Sequence, residues 1–105
     1  MAFKIIWSEF AEKQLDAIYY YYTEKANTNV AVNIIHGIIK EPEKLKKMPL
    51  LGQEEELLKD KNAEYRYLIF KNYKLIYSVD HNNELVKIAD VFDTRQNPTK
   101  LKRTR

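Results

Sequence analysis

At 105 residues the chain is long enough for one domain with a modest core and too short for two. It has no cysteine, which excludes a disulfide framework, a thiol nucleophile and the common structural zinc sites, and fits a reducing compartment. The net charge of +3 is unevenly placed: residues 95–105, RQNPTKLKRTR, hold Arg95, Lys100, Lys102, Arg103 and Arg105 without an acid, so the first 94 residues carry −2.

Such a basic tail suits a polyanion or an acidic protein, and equally a solvated, frayed end. The opening MAFKIIW is too short an apolar run for a signal peptide, and no stretch approaches the roughly 20 apolar residues that cross a bilayer. A cytoplasmic, single-domain protein with no membrane association is expected, without cofactor or metal.

Residues 2–7, AFKIIW, predict a first strand, and Ser8 is placed to cap the helix that follows. Ala11, Leu15, Ile18, Tyr19, Tyr22 and Ala26 then recur at helical spacing and form the buried stripe. That geometry splits the run Tyr19 to Tyr22, leaving Tyr20 and Tyr21 as surface rings. A second helix is predicted over Thr28 to Lys40, with Ala31, Ile34, Ile35 and Ile38 inward and Asn27 or Thr28 as cap. The short connection makes the two an antiparallel hairpin. His36 lies off the apolar stripe and reads as a surface residue. Pro42 begins a kinked continuation or a fresh turn, which Pro49 and Gly52 end.

Residues 53–63, QEEELLKDKNA, read as a charged connector with room for a helical turn. Beyond it the period becomes that of strands. YRYLIFKN, YKLIYSVD and ELVKIADVFD are rich in aromatic and β-branched residues and are separated by Lys71-Asn72 and by Asp80 to Asn83, which predicts an antiparallel meander. The fold class is therefore α+β: a strand, a two-helix antiparallel hairpin and a three-stranded meander, with the helices on one face of the sheet. Tyr73, Leu75, Tyr77 and Val79 make the core row of the middle strand. Lys74, Lys87 and Arg95 fall near the uncovered face if the last strand alternates without interruption. Arg66 joins them or opposes them according to the length of the turn at Lys71-Asn72. The last strand closes on DVFDTRQNP, whose Asp93, Thr94, Asn97 and Pro98 suit side-chain to backbone bonds that end a sheet, and whose Arg95 suits contact with a target.

The segments WSEFAEKQLDAIYYYY, KLKKMPLLGQ and YRYLIFKNYKLIYSVDHNNELVKIADVFDTRQNP, in this order and spacing, resemble the RelE/ParE superfamily of small toxins from type II toxin-antitoxin systems, agents of plasmid stabilisation and growth inhibition. The resemblance covers nearly the whole chain. It implies the same fold and a cognate antitoxin that wraps and neutralises the toxin in a hetero-oligomer.

It also implies one of two targets: RelE-like members enter the ribosomal A site and cut messenger RNA, whereas ParE-like members poison DNA gyrase. Metal-independent RNA cleavage needs a base for the 2′-hydroxyl, an acid for the departing 5′-oxygen and cations for the phosphorane. Arg66 and Lys74 match positions where RelE-like members place cations, and Arg95 falls close to another. Leu68, however, stands where a further cation is expected, and RQNPTKLKRTR holds no terminal Tyr or His for proton transfer. Tyr77 sits on the core row, His81 in a turn, and Asp93 serves as a base only where burial raises its pKa. The resemblance thus implies a ParE-like binding poison of gyrase, with a ribosome-dependent endonuclease as the alternative and a module that has kept the fold without toxicity as a third class. Arg66, Lys74 and Arg95 are the candidate target- or phosphate-binding residues, supported by Asp93 and Tyr77.

Overall fold

In a computed structural model of the chain, residues 2–59 and 63–103 are described. The elements are β1 (Lys4–Trp7), α1 (Glu9–Lys25), α2 (Thr28–Lys40), β2 (Gln53–Glu54), β3 (Arg66–Phe70), β4 (Tyr73–Asp80) and β5 (Leu85–Asp93), with short 3-10 segments at Glu41–Lys46, Glu56–Leu58 and Pro98–Arg103. The five strands form one sheet in the order β1-β5-β4-β3-β2, with β1 parallel to β5 and the remaining pairs antiparallel. The strand, helical hairpin and meander stand as the sequence predicts. The connector adds a two-residue edge strand and a helical turn; its residues 60–62 lie outside the described part.

Local chemistry starts both helices. The Ser8 hydroxyl oxygen accepts from Ala11 N–H at 3.0 Å, and Asn27 Oδ1 accepts from Val30 N–H at 2.9 Å. Ser8 also donates its hydroxyl to the carbonyl of Ala89 and its backbone N–H to that of Ile88, tying the head of α1 to the middle of β5. Ala11 and Ile18 of α1 and Ile38 of α2 then pack with Leu45 onto Leu68, Tyr73, Leu75, Tyr77, Val86, Ile88 and Val91. The middle-strand row is the core row, and Tyr20 and Tyr21 are exposed at 67% and 46%.

The uninterrupted alternation expected along β5 does not hold. Ile76 pairs with Asp90 and Tyr77 with Ile88, so Ala89 is a bulge that reverses the parity of everything after it. Val91 and Asp93 therefore face the helices, while Asp90 and Phe92 join Lys74 and Ile76 on the opposite side. That side is not a bare surface either. Ile76 and Phe92 are capped by Leu58 and Leu101, delivered by the two 3-10 segments that flank the meander, with Tyr65 and Tyr67 around them. Leu58 and Leu101 are fully buried, so the basic tail up to Arg103 is a docked strap and not a frayed end.

Candidate functional site

Of the four candidate cations, Lys74 and Lys87 share the face expected of them, the register decides the open placement of Arg66, and Arg95 departs from its expected position. Phe70 pairs with Tyr73 across the two-residue turn Lys71-Asn72, which sets Arg66 opposite Tyr77 on the helix side of the sheet. There the Arg66 guanidinium donates to Glu64 at 2.9 Å and to the carbonyls of Gly52 and Leu50 at 2.9 and 3.4 Å. Lys74 does lie on the other face, but its ammonium is 2.8 Å from Glu55, whose side chain is buried, and 4.2 Å from the centre of the Tyr67 ring. Lys87 remains on that face, 3.8 Å from Asp80. Arg66 and Lys74 therefore sit on opposite sides of the sheet, and Arg95 lies beyond the end of β5.

That strand end is where polar groups do converge. Asp93 pairs with Tyr73 in the ladder and accepts bonds from Asn72 Nδ2, from Arg95 N–H and from the Arg95 guanidinium, the last at 2.8 Å. Thr94 follows with its N–H and hydroxyl both donated to the carbonyl of Asn72. Asn97 Oδ1 then accepts from the N–H and hydroxyl of Thr99, starting the 3-10 strap. The DTRQNP run thus ends the sheet, and it does so by the side-chain to backbone bonds its composition suggests.

The same turn forms one wall of a cleft of about 360 Å³ between β5 and α1. Gln14 and Tyr21 of α1 face Tyr73, Asp93, Arg95 and Arg103 across it. Arg103 is the residue that sequence reasoning missed. Its guanidinium closes on both oxygens of Asp90, which is fully buried, at 3.1 and 3.2 Å, and reaches Gln14 Oε1 at 3.4 Å. The rings of Phe10 and Phe92 flank it at 5.4 and 5.3 Å. The available signal was Leu101, the one large apolar side chain in the cationic tail.

The electrostatics of the cleft favour holding charge over moving protons. The Arg95 guanidinium beside Asp93 lowers that carboxyl to about 2, and Asp93 in turn raises the pKa of Arg95. Burial, reinforced by a hydrogen bond to the Tyr22 hydroxyl, raises Tyr73 well above the ordinary phenol value. Tyr77 is fully buried and raised by that burial. The cleft thus presents hydrogen-bonding hydroxyl and amide groups and a guanidinium whose side chain is 58% exposed, a set able to bind an anionic or carboxamide group.

A mixed five-stranded sheet backed by a helical hairpin is a fold found in other solved structures. It is shared with a chain of the chromosomal ParDE toxin-antitoxin system from P. aeruginosa, at TM-score 0.72 and 17% identity over 88% of this chain and 96% of that one. It is shared also with a chain of the RelBE2 toxin-antitoxin complex from Mycobacterium tuberculosis, at TM-score 0.56 and 17% identity over 89% and 99%. No curated protein sequence matches. The family model for the ParE toxin of the type II toxin-antitoxin system, parDE, matches residues 5–98, and the chain belongs to that family. Among the described residues no helix is long and apolar enough to cross a membrane.

Proposed function

We propose that this protein is the growth-inhibiting toxin of a two-component pair, that it acts by binding DNA gyrase and not by cutting RNA, and that a cognate antitoxin neutralises it. One observation carries the choice of mechanism. A general base or acid needs a pKa near the working pH, and the described residues lining the cleft include no histidine, a carboxylate held at about 2 and a phenol raised by burial. Arg66 and Lys74, the other cations a nuclease would gather round a phosphate, are on opposite faces and already paired. Membership of the ParE family points the same way.

Arg95 is the best candidate for target contact, because its guanidinium is more than twice as exposed as the side chains of Arg66 and Lys74, at 58% against 18% and 23%. It can exchange Asp93 for a carboxylate or backbone carbonyl of the target while Asp93 keeps its bonds from Asn72 Nδ2 and the Arg95 N–H. Induced expression is expected to arrest growth with DNA-damage signalling, gyrase trapped on cleaved DNA and messenger RNA intact. Cuts in messenger RNA at A-site codons would overturn the reading in favour of a RelE-like endonuclease.

A further inference from the structure

The bulge at Ala89 turns Val91 and Asp93 toward the helices, and so gives the cleft against α1 its sheet wall. Gln14, Ala17, Ile18 and Tyr21 recur at helical spacing and supply the α1 wall. Ile18 and Val91 are the buried apolar members of the lining, whereas Ala17 is exposed. Arg95 and Gln96, both exposed, come from the turn that ends the sheet.

Tyr21 is half exposed in this cleft, and its ring is held in place. It meets the Tyr22 ring edge-on at 5.0 Å, and the Tyr22 hydroxyl accepts from that of Tyr73 at 3.4 Å. Tyr73 pairs with Asp93 in the ladder, and Asp93 holds Arg95. An unbroken series of contacts therefore fixes the ring on the helix relative to the guanidinium on the turn. Such preorganisation lowers the ordering cost of binding, and a tyrosine offers a large contact area for little lost freedom. Arg95 also has a donor to spare. Its Nε and Nη2 bond Asp93, and among the described residues its Nη1 has no partner.

Both cations that line the cleft are matched by carboxylates, Arg95 by Asp93 and Arg103 by Asp90. A phosphodiester entering it would meet the charged Asp93 and find no unmatched cation whose counterion it could release. The apolar members, the ring, the spare donor and the amides of Gln14 and Gln96 suit an uncharged stretch of polypeptide instead. We infer that Tyr21 is a second target-contact residue: with Arg95 it clamps an uncharged segment of the gyrase protein surface, seating an apolar side chain against Ala17, Ile18 and Val91 while a neighbouring backbone carbonyl accepts from Arg95 Nη1. The inference rests on the gyrase reading and narrows it from the enzyme on its DNA to a patch of the protein.

The test measures binding of the whole protein to purified gyrase without DNA, to a linear DNA duplex alone and to the purified product of the adjoining reading frame. Tyr21→Ala removes the ring, and Ala17→Trp fills the cleft from an exposed position. Each is expected to weaken gyrase binding at least about tenfold and to relieve growth arrest, with the melting temperature little changed. Tyr20→Ala, on the neighbouring exposed ring that does not line the cleft, is expected to leave binding and arrest as in the wild type. Because the cleft is charge-compensated, wild-type affinity for gyrase is expected to change by less than about threefold between roughly 50 and 200 mM salt, where a protein neutralising several phosphates loses about a thousandfold or more. Wild-type gyrase affinity in both cleft variants would overturn the inference. So would duplex binding that Ala17→Trp abolishes, which makes the occupant a nucleic acid, or loss of binding to the neighbouring product alone, which assigns the cleft to the antitoxin. A wild-type protein that binds no gyrase would refute the gyrase reading itself, and the inference with it.

Discussion

Arg103 reaches back across the end of β5 to grip Asp90 with two nitrogens, making an ion pair between a fully buried carboxylate and the strap formed by Pro98–Arg103. Arg103→Ala takes away two bonds to a buried carboxylate, and hydrogen bonds to charged groups are worth about 1.5–3 kcal/mol. Arg103→Ala is therefore expected to destabilise the fold by about 3 kcal/mol, a fall of about 10–20 °C in Tm for a domain of this size. Thermal melts followed by circular dichroism check it, with Arg103→Lys falling between the two because an ammonium cannot bond both oxygens in the plane of a guanidinium.

Truncation after Pro98 is expected to cost more still. It removes Arg103 and also Leu101, whose side chain closes the second apolar cluster over Ile76 and Phe92. A buried leucine lost without replacement costs about 2–5 kcal/mol, and the uncovered patch should bind a hydrophobic dye. A frayed tail would leave both the melting temperature and the dye signal unchanged.

The Tyr77 hydroxyl joins the core to the Pro49–Gly52 loop, and its loss separates two effects. Tyr77→Phe keeps the ring in place but leaves the buried Gly52 N–H and the Pro49 carbonyl without that partner, at a cost of about 1–3 kcal/mol. Gly52→Ala forces a Cβ against the Tyr67 carbonyl, where backbone cannot yield as a side-chain tip can. Urea denaturation should find both variants less stable than the wild type, and hydrogen exchange should show faster opening at residues 49–52 in Tyr77→Phe than elsewhere.

These contacts mark the boundary of what the sequence reveals. Helices and strands announce themselves because many residues repeat one period, and so the hairpin, the meander and the core row from Tyr73 to Val79 were legible. The bulge at Ala89 has no such signature. It coincides with the hydrogen bonds Ser8 makes to the carbonyls of Ile88 and Ala89, and a single inserted residue is enough to exchange the faces of Asp90 and Val91. Leu58 and Leu101 were hidden for a related reason, since a lone apolar residue in a charged segment shows no periodicity. The cations are plain in the sequence, but whether they converge is decided by pairing register and by acids distant in the chain, such as Glu55 for Lys74.

Acid stability provides a test centred on the site. Asp93 titrates at about 2 in the folded protein against an ordinary value of 3.8, through its bonds to the Arg95 side chain and backbone and to Asn72. A carboxylate whose folded pKa is depressed adds stability that is fully present above the unfolded value and is lost as pH falls through the folded one. Urea midpoints of the wild type are thus expected to fall between about pH 4 and pH 2. Asp93→Asn, which has no proton to take up, should show a shallower decline over that interval from a lower starting stability. Parallel curves for the two proteins would show that Asp93 is not held in its charged form by the fold.

The last prediction separates a functional cation from structural ones. Arg95 and Asp93 form an ion pair whose arginine is mostly in water, and loss of the guanidinium leaves Asp93 its bonds from Asn72 Nδ2 and from the backbone N–H of residue 95, so the cost should be about 1 kcal/mol. Lys74 compensates Glu55, whose side chain is 3% exposed, so its removal leaves a buried carboxylate and should cost about 3 kcal/mol. Arg95→Ala is accordingly expected to abolish growth arrest while lowering Tm by only a few degrees. Lys74→Ala should lower Tm substantially, and its toxicity should return when growth is assayed at a temperature at which the variant is folded. Growth curves on induction, read beside melting curves of the purified variants, distinguish the two. Full toxicity in Arg95→Ala would remove Arg95 from target contact and leave it the role its bonds to Asp93 already describe, that of closing the end of β5.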